Sequence, residues 1–272
     1  MNDFLKKSVA LTASISTAAF TLLPEDVFKL IELNPKWTEV CNTIIMRVIS
    51  VLAVFMFSTL AIALYRKIRQ SVTIKGKNYK IKIEYGDIFE IDNCKKVIPF
   101  DECYTLRVGE MPSDINASSL CGQYLRKYSI EDMQPLIDAV HLVPAKSKSH
   151  FQHMTRYESG KLVPNGDYLL MSFAKLDESG LGRMSRDEYI ESLSVLWQEI
   201  DKYYGQRNIC IPILGSGVTR IDGVSMTQQE LLDMMIWSYK LSNHKIKNPY
   251  SLIIVCKKQE GFSLNRIEES TL

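Results

Sequence analysis

The sequence predicts an α/β domain preceded by two N-terminal transmembrane helices. Three observations carry this reading. Residues 8–23 and 48–65 are uncharged runs of near membrane length, and β-type runs alternate with helical patterns from residue 79 onward. Ser185 with Glu188, and Thr227 with Glu230, each form a helix-start signature ahead of an apolar stripe at helical spacing.

A helix rises ~1.5 Å per residue and a hydrocarbon core is ~30 Å thick, so a span needs about 20 residues. The second run meets this because residues 43–46 extend it beyond Arg47; the first does so once Phe4 and Leu5 join it, giving spans of about 5–23 and 43–65. Arg66, Lys67, Arg69, Lys75, Lys77, Lys80 and Lys82 follow the second span with no acidic residue among them, and Lys6 and Lys7 precede the first. The connecting residues carry Glu25, Asp26, Glu32 and Glu39 against Lys29 and Lys36, so the positive-inside rule places both termini in the cytoplasm. The first run also has the form of a cleavable leader ending near Ala18 and Ala19, which would leave the rest of the chain in the same compartment. Ala10, Ser14 and Ala18 put small side chains on one face, where another helix can approach, and Arg47 is placed to snorkel to the interface. Residues 1–69 are thus a helical hairpin and residues 70–272 a cytoplasmic domain.

In that domain Tyr79, Ile81, Ile83 and Tyr85 alternate with charged residues as in a half-buried strand, and further β-type runs lie at 96–99, 168–173, 209–214 and 251–256. Ser185 opens a helix through Ile190, Leu193, Leu196, Trp197 and Ile200 that Gly205 closes; Thr227 opens another through Leu231, Met234, Met235 and Tyr239. Weaker helical patterns cover 120–128 and 130–140, and residues 143–163 have no period and read as a surface loop.

Composition narrows the function. A net charge of +2 lacks the basic excess of a nucleic-acid binder. The 6 cysteines form no CxxC pair, which favours buried reduced thiols, and His150 and His153 lack neighbours to complete a metal shell.

Two segments carry chemistry. After the apolar run at 209–214 come Gly215, Ser216 and Gly217, and a helix follows; glycines let successive N–H groups face one concavity that holds phosphate oxygens, although such turns also use glycine for steric reasons alone. After the first strand come Gly86, Asp87 and Ile88. An ionised Asp accepts from a nucleobase amine such as adenine N6, or it simply caps a turn.

Taken together, the strand before Gly86-Asp87-Ile88-Phe89, a middle glycine-bearing loop and the strand running into Pro212-Ile213-Leu214-Gly215-Ser216-Gly217-Val218-Thr219-Arg220 resemble a macro domain over roughly residues 78–258. With two spans ahead of it, the chain resembles the transmembrane macro-domain effectors of the Thoeris antiphage system. The resemblance implies a macro-domain-like mixed sheet flanked by helices. It assigns Asp87 and Ile88 to adenine, Ser119, Leu120 and Gly122 to the opposing loop, and Gly215, Ser216, Gly217, Val218 and Thr219 to the pyrophosphate and distal ribose; Arg220 is placed to add a charge-assisted contact, to face solvent or to pair with Asp222. It implies no cofactor but an ADP-ribose-containing signalling nucleotide as ligand, made from NAD by a TIR-domain partner as an amino-acid conjugate. It further implies a homo-oligomer acting on membrane lipid in the bacterial inner membrane, ending in cell death or growth arrest. Macro domains that hydrolyse ADP-ribosyl groups carry an Asn-Ala-Ala-Asn-type stretch where this chain has Pro99, Phe100, Asp101, Glu102 and Cys103. A binder without turnover is therefore expected, the alternative being a membrane-tethered ADP-ribosyl hydrolase that uses Asp101 or Glu102 on water.

Overall fold

The computed structural model describes residues 3–29, 34–111, 113–217, 219–224 and 226–267; Glu32 and Val218, both named above, lie outside them. The chain divides into two units between Arg69 and Gln70.

In the first unit, α1 (Asp3–Leu22), the single turn α2 (Asp26–Lys29) and α3 (Glu39–Ile68) form a hairpin. Its helices are antiparallel, since the Arg66 guanidinium near the end of α3 sits 5.2 Å over the Phe4 ring near the start of α1. Among the described residues one helix, α3, is long and apolar enough to cross a membrane. Large apolar side chains such as Ile44, Leu52, Phe57 and Leu64 are exposed along it. α1 has the length but not the apolarity, because Ser and Thr are threaded through it. The hydroxyls of Ser8, Thr12, Ser14 and Thr21 donate to carbonyls four residues back, so each is satisfied inside the helix. The buried stripe of α1 is Ser8, Thr12 and Ser16, whereas Ala10, Ser14 and Ala18 are exposed. Arg47 pairs with Glu25 at 3.4 Å and lies 5.5 Å over the Phe28 ring, so its charge is met in the connection between the helices.

The second unit is built on one mixed sheet in the order β1-β2-β9-β7-β3-β5-β6-β8: β1 (Ser71–Lys75), β2 (Lys80–Tyr85), β3 (Cys94–Asp101), β5 (Tyr168–Leu176), β6 (Gly182–Met184), β7 (Asn208–Pro212), β8 (Arg220–Ile221) and β9 (Leu252–Cys256), with β4 (Leu162–Asn165) paired to β5. The five strands β2-β9-β7-β3-β5 are mutually parallel and fall on the β-type runs read from the sequence, although β7 ends at Pro212, two residues short of the run at 209–214. Period 2 sends alternate side chains to opposite faces. Ile209, Ile211, Leu252, Ile254, Leu169 and Met171 pack with α6 (Arg186–Tyr203) and α7 (Gln228–Leu241), while Ile98, Phe100 and Leu170 pack with α4 (Leu120–Lys127) and α5 (Gln134–Ala139). Both predicted capping boxes form at Ser185 and Thr227, and Gly205, at φ +56°, follows the end of α6. Trp197, Tyr189 and Tyr239 are fully buried between α6, α7 and the sheet; truncating one such side chain to Ala costs about 3–5 kcal/mol.

Four strands escape sequence reading. β6 and β8 are too short for any period, and β1 lies in the basic stretch that reads as a membrane flank. β4 does carry a signal: Asn165 pairs with Tyr168 around Gly166, at φ +59°, and Asp167, a two-residue hairpin turn.

Candidate functional site

Because the five central strands are parallel, their carboxyl ends share one edge of the sheet, where ligands of open α/β sheets bind. The segments beginning at Gly86, Glu102 and Ile213, and Lys257–Lys258, all leave the sheet there.

After β2, Asp87 caps a 3₁₀ turn, Ile88–Glu90, its Oδ1 accepting from the Phe89 N–H at 2.9 Å. The turn-capping reading is therefore correct, but it uses one carboxylate oxygen; Oδ2 has no partner among the described residues, and the side chain is exposed. Ile88 is buried in a cluster with Cys94, Cys210, Ile253 and Val255, against which Leu120 packs. The fold thus brings Ile88 and Leu120 together. Ser119 is the N-cap of α4: its Oγ accepts from the Gly122 N–H at 3.0 Å and donates to the Asn116 carbonyl at 2.6 Å. A Cβ on Gly122 would stand 2.3 Å from the Asn116 oxygen, so glycine there lets the preceding loop close on the helix start.

The segment after β7 leaves the sheet beside β3 and returns as β8 beyond β6, so it carries the chain past β3 and β5. Its glycines differ. Gly215, at φ +79°, is wedged against the Ile221, Leu231 and Tyr189 side chains, and the Tyr189 hydroxyl donates to the Leu214 carbonyl at 3.1 Å. Gly217 is exposed, lacks a positive φ, and has open space where a Cβ would project. Ser216 is folded back, its hydroxyl donating to the Ile213 carbonyl at 2.7 Å. Thr219 lies against Gly182, and Arg220 is exposed in β8 beside Arg183. Asp222 is bound by Arg186, at 3.2 Å.

The site residues therefore fall into two groups on one sheet edge: Asp87, Ile88, Ser119, Leu120 and Gly122 around the 3₁₀ turn and the start of α4, and Gly215, Ser216, Gly217, Thr219 and Arg220 along the crossing segment. Sequence reasoning missed Lys257 and Lys258. With Gln70, Tyr85, Gly86 and Cys256 they line an open depression of about 380 Å³ next to Asp87, and the Lys258 ammonium lies 5.4 Å over the Tyr85 ring. Burial pushes the Tyr85 hydroxyl up and the Cys256 thiol up to about 12, so the lysines supply the charge here. Their position directly after the last strand was the available signal.

Asp101 and Glu102 are fully engaged by protein. Asp101 accepts from the Cys103 N–H at 2.8 Å, the Thr105 N–H at 3.3 Å and the Thr105 hydroxyl, and burial holds its carboxyl above the usual carboxylate range. Glu102, 2% exposed, accepts from Ser149 at 2.6 Å and the Leu176 N–H at 3.2 Å on Oε1, and pairs with Arg156 at 3.2 Å on Oε2. Such carboxylates hold loops together. Among the described residues no three His, Cys, Asp or Glu side chains are grouped to hold a metal ion.

The arrangement offers an acceptor for a base amine, an apolar seat, an exposed glycine segment and two cations, the complement of an anionic nucleotide. Among solved structures the chain is similar to the Oceanobacillus iheyensis macrodomain with ADP (10% identity, TM-score 0.44, covering 70% of this chain and 89% of that one). It is also similar to the macrodomain of Thermus aquaticus DarG (13% identity, TM-score 0.39, covering 66% and 98%). The Thoeris protein ThsA of Bacillus amyloliquefaciens (strain Y2) is 29% identical over 204 residues, 72% of this chain and 68% of that protein. The family profile described as Thoeris protein ThsA, Macro domain, matches residues 81–257, and the chain belongs to this family.

Proposed function

We propose that this chain is a membrane effector of bacterial antiphage defence, whose macro domain binds an ADP-ribose-derived signal at the carboxyl edge of its sheet. Asp87 accepts from the adenine amine, Ile88 and Leu120 seat the base, and Gly217, Thr219 and Arg220 of the crossing segment meet the phosphates and distal ribose. A TIR-domain partner makes the signal, an amino-acid conjugate of ADP-ribose. Its binding drives homo-oligomerisation, which the helices of residues 1–69 convert into membrane disruption and cell death or growth arrest. In this reading α1 crosses the inner membrane together with α3, and both termini are cytoplasmic. A ligand drives such a change only by binding the assembled state more tightly than the resting one.

The observation that carries the reading is the gathering of Asp87, Ile88 and the exposed Gly217 on one parallel-sheet edge, inside the residues that match the Thoeris family. Further support comes from chain adjacency: α3 ends at Ile68 and β1 begins at Ser71, so little linker separates domain from helix. The hydrolytic alternative is disfavoured because the oxygens of Asp101 and Glu102 already accept from protein donors.

The test is dye release from liposomes carrying the full chain. Release is expected on adding nucleotide extract from cells with an active TIR-domain partner, and not with the Asp87→Ala chain. Release independent of extract, or binding of ADP-ribose-class nucleotides without release, would overturn the effector reading. Turnover of ADP-ribosylated protein that disappears in Asp101 or Glu102 variants would overturn the assignment as a binder.

A further inference from the structure

Cys94 and Cys210 stand apart from the other cysteines. Their sulfurs are in direct contact, 2.7 Å apart, the Cys210 thiol donating to Cys94. Both are free thiols, 2% and 0% exposed. They occupy neighbouring parallel strands at the point where these part: β3 and β7 pair as Cys94↔Asn208, Lys95↔Ile209 and Lys96↔Cys210, and no further. Cys94 is also the shallower of the two in the chain path, because it follows exposed Asp92 and Asn93, whose loop turns through φ +56° at Asn93. The thiols are unlike: a hydrogen bond from Cys210, with Lys96 and Arg207 nearby, holds the Cys94 thiol below its usual range, and the same bond together with burial raises that of Cys210. Ordinary core cysteines are inert because burial favours the neutral thiol; here a second thiol stands in contact with the first, so a sulfur once oxidised has a resolving partner at hand.

We infer that Cys94 and Cys210 form an oxidisable dithiol that closes to a disulfide under peroxide, at the floor of the Ile88 cluster. The Cys94 thiolate attacks a peroxide oxygen; the S–O bond forms as the O–O bond breaks, and the departing hydroxide takes a proton to become water. The Cys210 sulfur then attacks the sulfenic sulfur, the S–S bond forms as the S–O bond breaks, and the Cys210 proton leaves with the hydroxide as a second water. Both sulfurs share their cluster with Ile88, Ile253 and Val255, so the bond ties β3 to β7 beneath the 3₁₀ turn that Asp87 caps. Cellular dithiols reverse it by exchange.

The experiment treats the reduced full chain in detergent with graded hydrogen peroxide, alkylates remaining thiols after denaturation, and maps peptides without reduction. The expected product is a peptide pair joining Cys94 to Cys210, with a mass loss of about 2 Da, formed ahead of modification at exposed Cys41. A Cys210→Ser chain should trap a sulfenic acid at Cys94 that dimedone captures. Recovery of both cysteines as alkylated thiols from the oxidised wild-type chain would overturn the inference, even if the variant fails to fold. A parallel arm contains saturating ADP-ribose and rests on the nucleotide reading above, which predicts slower cross-linking. A cross-link that forms at an unchanged rate supports the dithiol and removes the nucleotide from Ile88; a cross-link absent from both arms removes the dithiol and leaves the nucleotide reading standing.

Discussion

The two glycines of the crossing segment make opposite predictions. At Gly215 the backbone is left-handed, φ +79°, and a new Cβ would sit 3.3 Å from Ile221, 3.4 Å from Leu231 and 3.6 Å from Tyr189. The left-handed conformation costs a side-chain-bearing residue roughly 1–2 kcal/mol, and of the three contacts only the 3.3 Å approach to Ile221 is tight. Gly215→Ala should therefore lower Tm by roughly 2–8 °C, taking about 2–4 °C per kcal/mol for a domain of this size. At Gly217 neither term applies, since its φ is not positive and no atom lies within 4 Å of a Cβ. Gly217→Val should change stability by less than about 0.5 kcal/mol, as surface substitutions do. The same side chain would project into the space assigned to the ligand, so ADP-ribose affinity should fall at least tenfold. Thermal unfolding of the full chain in detergent measures the first effect and calorimetric titration the second. A folded Gly217→Val chain that binds ADP-ribose with unchanged affinity would refute the placement of the ligand; a Gly215→Ala chain as stable as the wild type would refute the conformational account of that glycine.

Asp87→Ala removes both the cap of the 3₁₀ turn and the acceptor for the base, whereas Asp87→Asn keeps an oxygen for the Phe89 N–H; only the first should lose about 1 kcal/mol of stability, while both should weaken nucleotide binding in calorimetry. Burial raises the Asp101 carboxyl above 3.8, so Asp101 is protonated in both states at low pH. As pH rises past the unfolded value the unfolded chain loses its proton first and the fold loses stability, the loss being complete above the raised folded value. Asp101→Asn removes this term, and its stability relative to wild type should grow from about pH 4 toward neutrality in urea titrations; parallel curves would count against it. Thr227→Ala breaks the capping box with Glu230 and should lower Tm by about 2–4 °C, with Thr227→Ser recovering most of it.

β2 was legible from its alternation, the other central strands from short continuous apolar runs, and α6 and α7 from their helical spacing and capping boxes; the sheet order adds that these strands are parallel neighbours. Periodicity has no grip on β6 and β8, whose residues are fixed by what they cross rather than by an alternating face. In α1 the sequence shows that small residues abound but not which stripe meets α3. That stripe is Ser8, Thr12 and Ser16, while Ala10, Ser14 and Ala18 are exposed. Similarly, three consecutive residues read as one phosphate cradle divide by role, Gly215 serving the core, Ser216 its own turn, and Gly217 the exposed side.

The aperiodic residues 143–163 show why Glu102, just after β3, could not be judged from sequence. The stretch folds back on itself, the Ala145 N–H bonding the Arg156 carbonyl at 2.9 Å and the Ser149 N–H the Met154 carbonyl at 3.0 Å. It thereby presents Ser149 and Arg156 to Glu102, while the Tyr157 N–H bonds the Glu102 carbonyl at 2.8 Å. Removing one partner of such a buried pair costs about 3–5 kcal/mol, because the other charge is left uncompensated. A stretch without period thus has a definite task, which is to neutralise a buried charge. The carboxylate that the sequence offers for water activation also anchors the loop. A Glu102 variant that loses activity must therefore be shown to be folded before it says anything about chemistry.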